Sequence, residues 1–259
     1  MPTDRPRGPL PTRLGDLPQL PDAYRRSLDE GLVAIGLELP PGARQAIDGH
    51  ARLLLAWTKA INLTAIRDPE RVATLHVLDS LVALPLLRAE GIDRFVDLGS
   101  GGGYPGLPLA AALPAEALLV ESVAKKARFL ETAAAATGLD DRVRVAHERA
   151  EMLAHDPRHR ARWPAVLARA VAALPELAEL ALPLVEPGGV LVAWKQERLA
   201  AEIDDARVIL ARLGGSAPEI HAVPAPGLEG HRLVVVRKRG TTPSGYPRPS
   251  AERRRDARR

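Results

Sequence analysis

No cysteine occurs in the 259 residues, so disulfides, thiolate metal sites and cysteine nucleophiles are excluded. Lysine is scarce, five of 36 basic residues, a trait that suits a GC-rich genome and says nothing about mechanism. Long apolar runs are missing too. The stretch from Leu107 to Val120 is broken by Pro108, Pro114 and Glu116 and falls short of the ~18 residues a membrane span needs. The first 21 residues, rich in Pro and Arg, lack the apolar segment of a signal peptide, and the expectation is a soluble cytoplasmic protein with no membrane partner.

What is present has room for one α/β domain and a helical addition. Net charge is +4, and it sits at one end: from Arg248 to Arg259 six Arg face Glu252 and Asp256, so the preceding residues balance to zero. Residues 240–259 therefore read as a basic disordered tail, either a solvated end or a sequence-blind phosphate contact. Residues 1–21, with six Pro and no helical period, read as a disordered arm. Residues 22–90 read as a helical extension, with helices expected over 22–36, 41–61 and 68–89, the last started by Asp68-Pro69. Over 91–239 the texture becomes strand-turn-helix. Strands are expected at 95–98, 117–121, 143–146, 166–170, 189–195 and 233–236, and helices at 105–113, 123–137, 175–185 and 199–213. This alternation predicts an α/β, Rossmann-like, largely parallel sheet with helices on both faces.

The strongest motif follows the first strand: Asp97-Leu98-Gly99-Ser100-Gly101-Gly102-Gly103-Tyr104-Pro105-Gly106. Its glycines let backbone approach a ligand, and ligands of open α/β sheets sit beyond the carboxyl ends of the strands. Residues 101–106 also spell the dinucleotide fingerprint G-x-G-x-x-G, a weak match alone. Against a dinucleotide stand the acidic Asp97 ahead of the glycines and Pro105 where a pyrophosphate would want an amide donor. S-adenosylmethionine has no phosphate and carries an ammonium group that Asp97 could attract. Glu121 closes the second strand, where a carboxylate can accept both ribose hydroxyls of an adenosine. Arg149-Ala150-Glu151 follows the third strand and suits an adenine edge, although Glu151 would also serve as a helix-start acid. Arg169, in Ala168-Arg169-Ala170, is either a solvated charge or a group aimed at cofactor or substrate.

Together with Trp57 to Pro69 and His76-Val77-Leu78-Asp79-Ser80, these motifs resemble the family of ribosomal RNA small-subunit methyltransferase G, also called glucose-inhibited division protein B. The likeness runs over about residues 40–240 and includes Glu121-Ser122, Lys125-Lys126, Arg128-Phe129-Leu130 and Leu182 to Lys195. The resemblance implies a class I fold, S-adenosylmethionine as cofactor, and a guanine N7 of 16S ribosomal RNA, in the small subunit, as target. It implies cofactor contacts at Gly99, Tyr104, Ala150, Glu151 and Arg169, to which the loop reading adds Gly101 and Glu121. It also suggests a monomer. Glu121 stands where the family usually has Asp, and Lys126 where Arg is common, both with the charge kept.

Attack by guanine N7 uses an in-plane lone pair and needs no general base, so no His-Asp proton relay and no metal are expected. Asn62, His76, Lys125, Lys126, Arg149 and Lys195 are candidates for holding the RNA or the base; Asn62 could equally end a helix, His76 be a satisfied half-buried His, and the Lys pair be a solvated face. Pyrimidine C5 methylation needs a Cys this chain lacks, and the Asn/Asp-Pro-Pro-aromatic turn of amine methylation is replaced by Ala168-Arg169-Ala170-Val171. A small-molecule or protein methyltransferase, a reductase without its Tyr-x-x-x-Lys pair, and a non-catalytic RNA-binding module remain as rivals.

Overall fold

The computed structural model describes residues 9–196 and 199–256. Helices α1 (Asp22–Ala34) and α2 (Ala43–Trp57) form where apolar residues return every three or four positions: Tyr24, Leu28 and Leu32, then Ile47, Ala51, Leu54 and Trp57, all buried. Asp68 accepts a hydrogen bond from the Arg71 amide at 2.9 Å and Pro69 takes the first helical position, which starts a helical run over Pro69–Ala89. The run consists of α3 (Pro69–Val72), a π-helical turn (Ala73–Leu78), α4 (Asp79–Leu81) and α5 (Leu84–Ala89). By length and mean hydropathy, 1.5, this 21-residue run could cross a membrane, contrary to the reading that no stretch has that length. Here Val72, Val77, Leu81, Leu84 and Leu87 are buried in the core, as in a helix of a globular domain.

The sheet core follows as β1 (Arg94–Leu98), α6 (Gly106–Ala112), β2 (Glu116–Val120), α7 (Ala124–Ala136), β3 (Val143–Ala146), α8 (Ala150–His155), β4 (Trp163–Arg169), α9 (Leu174–Ala181), β5 (Val185–Gln196), α10 (Leu199–Arg212), β6 (Glu219–Ala222), β7 (His231–Arg237) and α11 (Ser250–Asp256). Strand order is β3-β2-β1-β4-β5-β7-β6, parallel from β3 through β5 and antiparallel where β7 joins β5 and β6. The chain reverses its direction of winding between β1 and β4, so their carboxyl ends flank the crevice where such sheets bind ligands. Side chains alternate between two cores: Phe95, Ala165 and Leu167 face α2 and the helical run, whereas Val96, Leu98, Val166 and Ala168 face α9 and α10. The helical extension therefore shares one core with the sheet.

Three segments differ from the sequence reading. Residues 9–21, expected in a disordered arm, pack on α2: Leu17 and Leu20 are buried, Trp57 Nε1 donates to the Pro11 carbonyl at 2.7 Å, and Arg52 donates to the carbonyls of Leu14 at 2.7 Å and Pro18 at 2.9 Å. Proline removes amide donors, so the arm is held through its carbonyls instead. Residues 240–256, expected as a disordered tail, are held likewise. Arg160 donates to the carbonyls of Thr242, Pro243 and Tyr246 at 2.7–3.2 Å, and Arg248 pairs with the buried Glu179. The outer parts of both calls, 1–8 and 257–259, lie outside the described residues. The third is β6, a four-residue edge strand, exposed throughout, whose Glu-Ile-His-Ala alternation is too short to announce it.

Candidate active site

The glycine motif leaves β1 at Gly99, whose φ of +68° is left-handed, and the amides of Gly99 and Ser100 both donate to the Val120 carbonyl at 2.9 and 3.0 Å. The turn then packs so closely that a Cβ on Gly106 would sit 2.6 Å from Asp97 Oδ2. That contact is a hydrogen bond in the native chain: the Gly106 amide donates to Oδ2 at 3.0 Å. Asp97 Oδ1 is buried with no hydrogen-bond partner, and burial raises the carboxyl to about 7. Next to it, Glu121 at the end of β2 accepts from the amides of Gly101 (3.0 Å, Oε2) and Val123 (2.8 Å, Oε1). Each oxygen keeps a second lone pair, so the carboxylate can still accept a pair of hydroxyls.

Tyr104 is buried and stacks between His50 (ring centroids 4.4 Å) and His76 (4.8 Å), with the Arg169 guanidinium 5.6 Å from its ring centre. His50 Nε2 lies 2.7 Å from the Gly102 carbonyl, which ties α2 to the loop. Desolvation lowers His50 to about 4 and His76 to about 3, so both are neutral at pH 7. His76 Nδ1 accepts from Arg169 at 3.1 Å, and this fixes its tautomer so that Nε2 donates to Thr64 Oγ1 at 2.8 Å.

Arg169 ends β4 just before Ala170, a non-glycine residue at φ +57°, strained by roughly 1 kcal/mol. Its guanidinium is not solvated: it donates to Asp79 Oδ2 at 2.9 Å and to the Leu75 carbonyl at 3.0 Å, joining the sheet edge to the π-helical turn. Asp79, nearly fully buried, also takes His231 Nδ1 at 2.8 Å on Oδ1, while Trp194 Nε1 donates to its backbone carbonyl at 2.6 Å. These groups line a cavity of about 490 Å³, floored by Ala168 and Val171 and rimmed by Lys195. Val171 is the side chain a Cβ on Gly99 would touch, at 3.0 Å, so the glycine loop and the cavity share a wall. A second cavity, about 640 Å³ beneath the N-terminal arm, is lined largely by Leu10, Pro11, Leu17 and Leu20 and holds neither carboxylate nor imidazole.

The residues singled out in the sequence separate into two groups. Gly99, Gly101, Tyr104, Glu121, His76, Arg169 and Lys195 come together around the crevice, Lys195 donating to the Ala172 carbonyl at 2.8 Å and pairing with Glu202. Ala150 and Glu151 open α8 beyond β3, with Glu151 3.7 Å from Arg253 of α11. Lys125, Lys126 and Arg149 follow the carboxyl ends of β2 and β3, and Asn62 lies in the connection after α2. These four line none of the cavities described, and among the described residues they make no side-chain ion pair. Sequence reasoning missed Asp79 and His231. Asp79 is three residues from His76, a same-face spacing that could have revealed it, whereas His231 had no local signal. Their contact places a hydrogen-bonded His-Asp pair on the cavity lining. No cluster of three or more metal-ligating residues occurs among those described.

The reversal point, the glycine turn and the acidic residue closing β2 define an S-adenosylmethionine-type, class I methyltransferase fold. Solved structures agree on the fold: the O-methyltransferase TomG from Streptomyces achromogenes, in complex with SAM, superposes with a TM-score of 0.54 at 18% identity over 84% of this chain and 99% of its own. An O-methyltransferase from Bacillus cereus in complex with SAH gives 0.54 at 16% identity over 83% of this chain and 100% of its own. The particular family comes from sequence. Residues 43–226 match the profile described as GidB, rRNA small subunit methyltransferase G, and the chain belongs to that family. The ribosomal RNA small subunit methyltransferase G of Symbiobacterium thermophilum is 38% identical, covering 87% of this chain and 94% of that protein; that of Rubrobacter xylanophilus is 43% identical, covering 88% and 87%.

Proposed function

We propose that the chain transfers a methyl group from S-adenosylmethionine to N7 of a guanine in 16S ribosomal RNA of the small subunit. The observation that carries the reading is the unpartnered, buried Asp97 Oδ1 beside the two-acceptor Glu121, on one side of a wall whose other side is a cavity closed by Arg169, His76 and Asp79. The cofactor, when bound, supplies an electrophilic methyl on a sulfonium. Its ammonium group suits Asp97 Oδ1, which has no other donor, and its ribose suits the free lone pairs of Glu121; the backbone of Ala150 and Glu151 offers an adenine edge. Family membership and the relatives, themselves ribosomal RNA small subunit methyltransferases G, support the ribosomal RNA as acceptor.

The cavity chemistry fits a ring nitrogen. His76 is held neutral and is already hydrogen-bonded through both nitrogens, Asp79 is taken by Arg169, and guanine N7 brings its own lone pair. What the residues supply is orientation: a base clamped in the cavity faces the shared wall, and alignment supplies a large share of the acceleration. A regular A-form helix hides N7 in its deep groove, so the target lies in a loop or distorted junction, with Lys125, Lys126 and Arg149 near the strand ends available to phosphates. The reaction belongs in the cytoplasm with the ribosomal subunits, and a monomer suffices for it. One observation favours a second reading: the His231-Asp79 pair would serve as a general base on an acceptor that carries a proton, such as a hydroxyl of a small molecule.

Radiolabelled methyl transfer to small subunits and to free 16S RNA, with the modified base mapped, tests both. Label at one guanine N7, lost in Arg169→Ala, is the expected result. Transfer to neither RNA while S-adenosylmethionine still binds would overturn the RNA reading and favour the second.

A further inference from the structure

His231 opens β7, which runs antiparallel to β5, so it lies opposite Gln196 at the same sheet edge as the carboxyl ends of β1, β4 and β5. Its Nδ1 is 2.8 Å from Asp79 Oδ1. A carboxylate only accepts, so Nδ1 carries the proton and Nε2 is left as an acceptor, with no partner among the described residues, on a ring that lines the cavity. Asp79 is itself immobilised by Arg169 on Oδ2 and by Trp194 on its carbonyl. The imidazole is thus fixed in place, and because Asp79 raises its proton affinity above the ordinary value, its Nε2 is an acceptor for a substrate only on the alkaline side, where the ring is neutral.

Asp97, Glu121, Ala150 and Glu151, the groups given above to the ammonium, ribose and adenine, lie on the β1-β2-β3 side of the reversal point, and His231 lies on the other side, beyond β4 and β5. With strands about 4.8 Å apart, His231 stands roughly 14 Å from β1, and the cavity lies between. A purine that turns N7 toward the cofactor side presents the far side of its ring, C2 and N3, toward β5 and β7. In guanine C2 carries the 2-amino group, a donor; in adenine it carries only hydrogen. We propose that His231, held by Asp79, is the specificity residue of the acceptor cavity, its Nε2 accepting a 2-amino N–H of the guanine whose N7 is methylated. The proposal rests on the guanine reading of the preceding subsection. As N7 takes the methyl group the ring becomes cationic and its 2-amino group a stronger donor, so this hydrogen bond strengthens toward the transition state and bears on kcat. Protonating Nε2 converts the acceptor into a donor. The charged groups facing it are Asp79 from the helical run, Arg169 from β4 and Glu229 from its own loop, with Lys195 and His76 across the cavity. The hydrogen bond from Asp79 raises His231 above the ordinary imidazole value, and Asp97 titrates at about 7 on the cofactor side, so the acid limb assigned to His231 is the part that persists at saturating S-adenosylmethionine and that His231→Gln removes.

The test is methyl transfer to small subunits by the wild type, His231→Ala and His231→Gln, with S-adenosylmethionine affinity measured calorimetrically. His231→Ala should lower kcat on the order of tenfold to a hundredfold, the range of one base-edge contact, with cofactor affinity unchanged. His231→Gln, whose amide oxygen can accept, should recover part of the rate and lose the acid limb of the pH profile. Equal kcat/KM for His231→Ala and an active wild type overturns the proposal. A wild type that methylates neither RNA defeats the guanine reading instead, and the cavity is then decided by the ¹⁵N shift of His231 on titration with guanosine or adenosine monophosphate. A shift selective for the guanine nucleotide upholds the subsite, and a shift with both or neither removes it.

Discussion

Gly106 donates its amide to Asp97 and has no space for another atom: a Cβ there would stand 2.4 Å from Leu119 Cδ2 and 2.6 Å from Asp97 Oδ2. Leu119 is a flexible tip and can move, but the carboxylate can move only by giving up the amide or by turning its unpartnered oxygen away from the crevice. Gly101 differs. At φ +54° a side chain would be strained by roughly 1 kcal/mol, yet it would meet nothing closer than the Gly99 carbonyl at 3.7 Å. Gly106→Ala should therefore weaken S-adenosylmethionine binding by more than about tenfold, the effect of losing one charge-assisted contact, while Gly101→Ala weakens it less. Calorimetric titration of both variants checks the order, and equal affinities would remove Asp97 from the ammonium site.

The elements most legible in the sequence were those with a periodic apolar pattern and a punctuated end. β3 lies at residues 143–146 as expected, and α1, α2, α7 and α10 start within two residues of their expected positions. The short β6, exposed throughout, escaped, while the sheet is largely parallel as expected, with antiparallel pairings only where β7 joins β5 and β6. The glycine loop, Glu121 and Arg169 were visible because chemistry and local position coincide. Asp79 and His231 were not, since 152 residues separate them and only the tertiary fold brings their side chains together. The tail illustrates the same limit. Arginine and proline composition suggests a solvated end, yet Arg248 lies against Glu179, whose side chain is 3% exposed, with Nε 3.1 Å from Oε2. Removing the cation would strand a buried carboxylate, costing 3–5 kcal/mol in a fully buried pair and about 2 kcal/mol here, because Arg248 itself is 25% exposed and screened by solvent. Arg248→Ala should lower the urea midpoint accordingly, with Glu179→Gln restoring part of the loss. A change below about 0.5 kcal/mol, the level of an ordinary surface substitution, would show the tail to be energetically detached.

At the scale of the molecule, the stack of His50, Tyr104 and His76 links the helical extension to the cofactor loop and makes stability depend on pH. His50 titrates at about 4 and His76 at about 3 in the folded chain, against 6.5 when exposed, because burial disfavours the imidazolium. Protons thus bind the unfolded chain more readily, so the stabilisation is complete above pH 6.5 and is lost as pH falls toward 4 and then 3. At about 1.4 kcal/mol per tenfold difference in proton affinity, the fully buried His50 accounts for roughly 3 kcal/mol of the loss. Asp97 acts in the opposite direction: its carboxyl is raised to about 7 from 3.8, so acidification between these values favours the folded state and offsets about one of the two histidines. The balance is a net loss below pH 6.5, steeper in Asp97→Asn, which lacks the offset, and shallower in His50→Gln, which lacks one titrating ring. Urea unfolding at several pH values between 7.5 and 4 gives the three slopes. If His50→Gln and the wild type lose stability in parallel, His50 does not titrate on unfolding, and the acid lability must come from groups outside the stack.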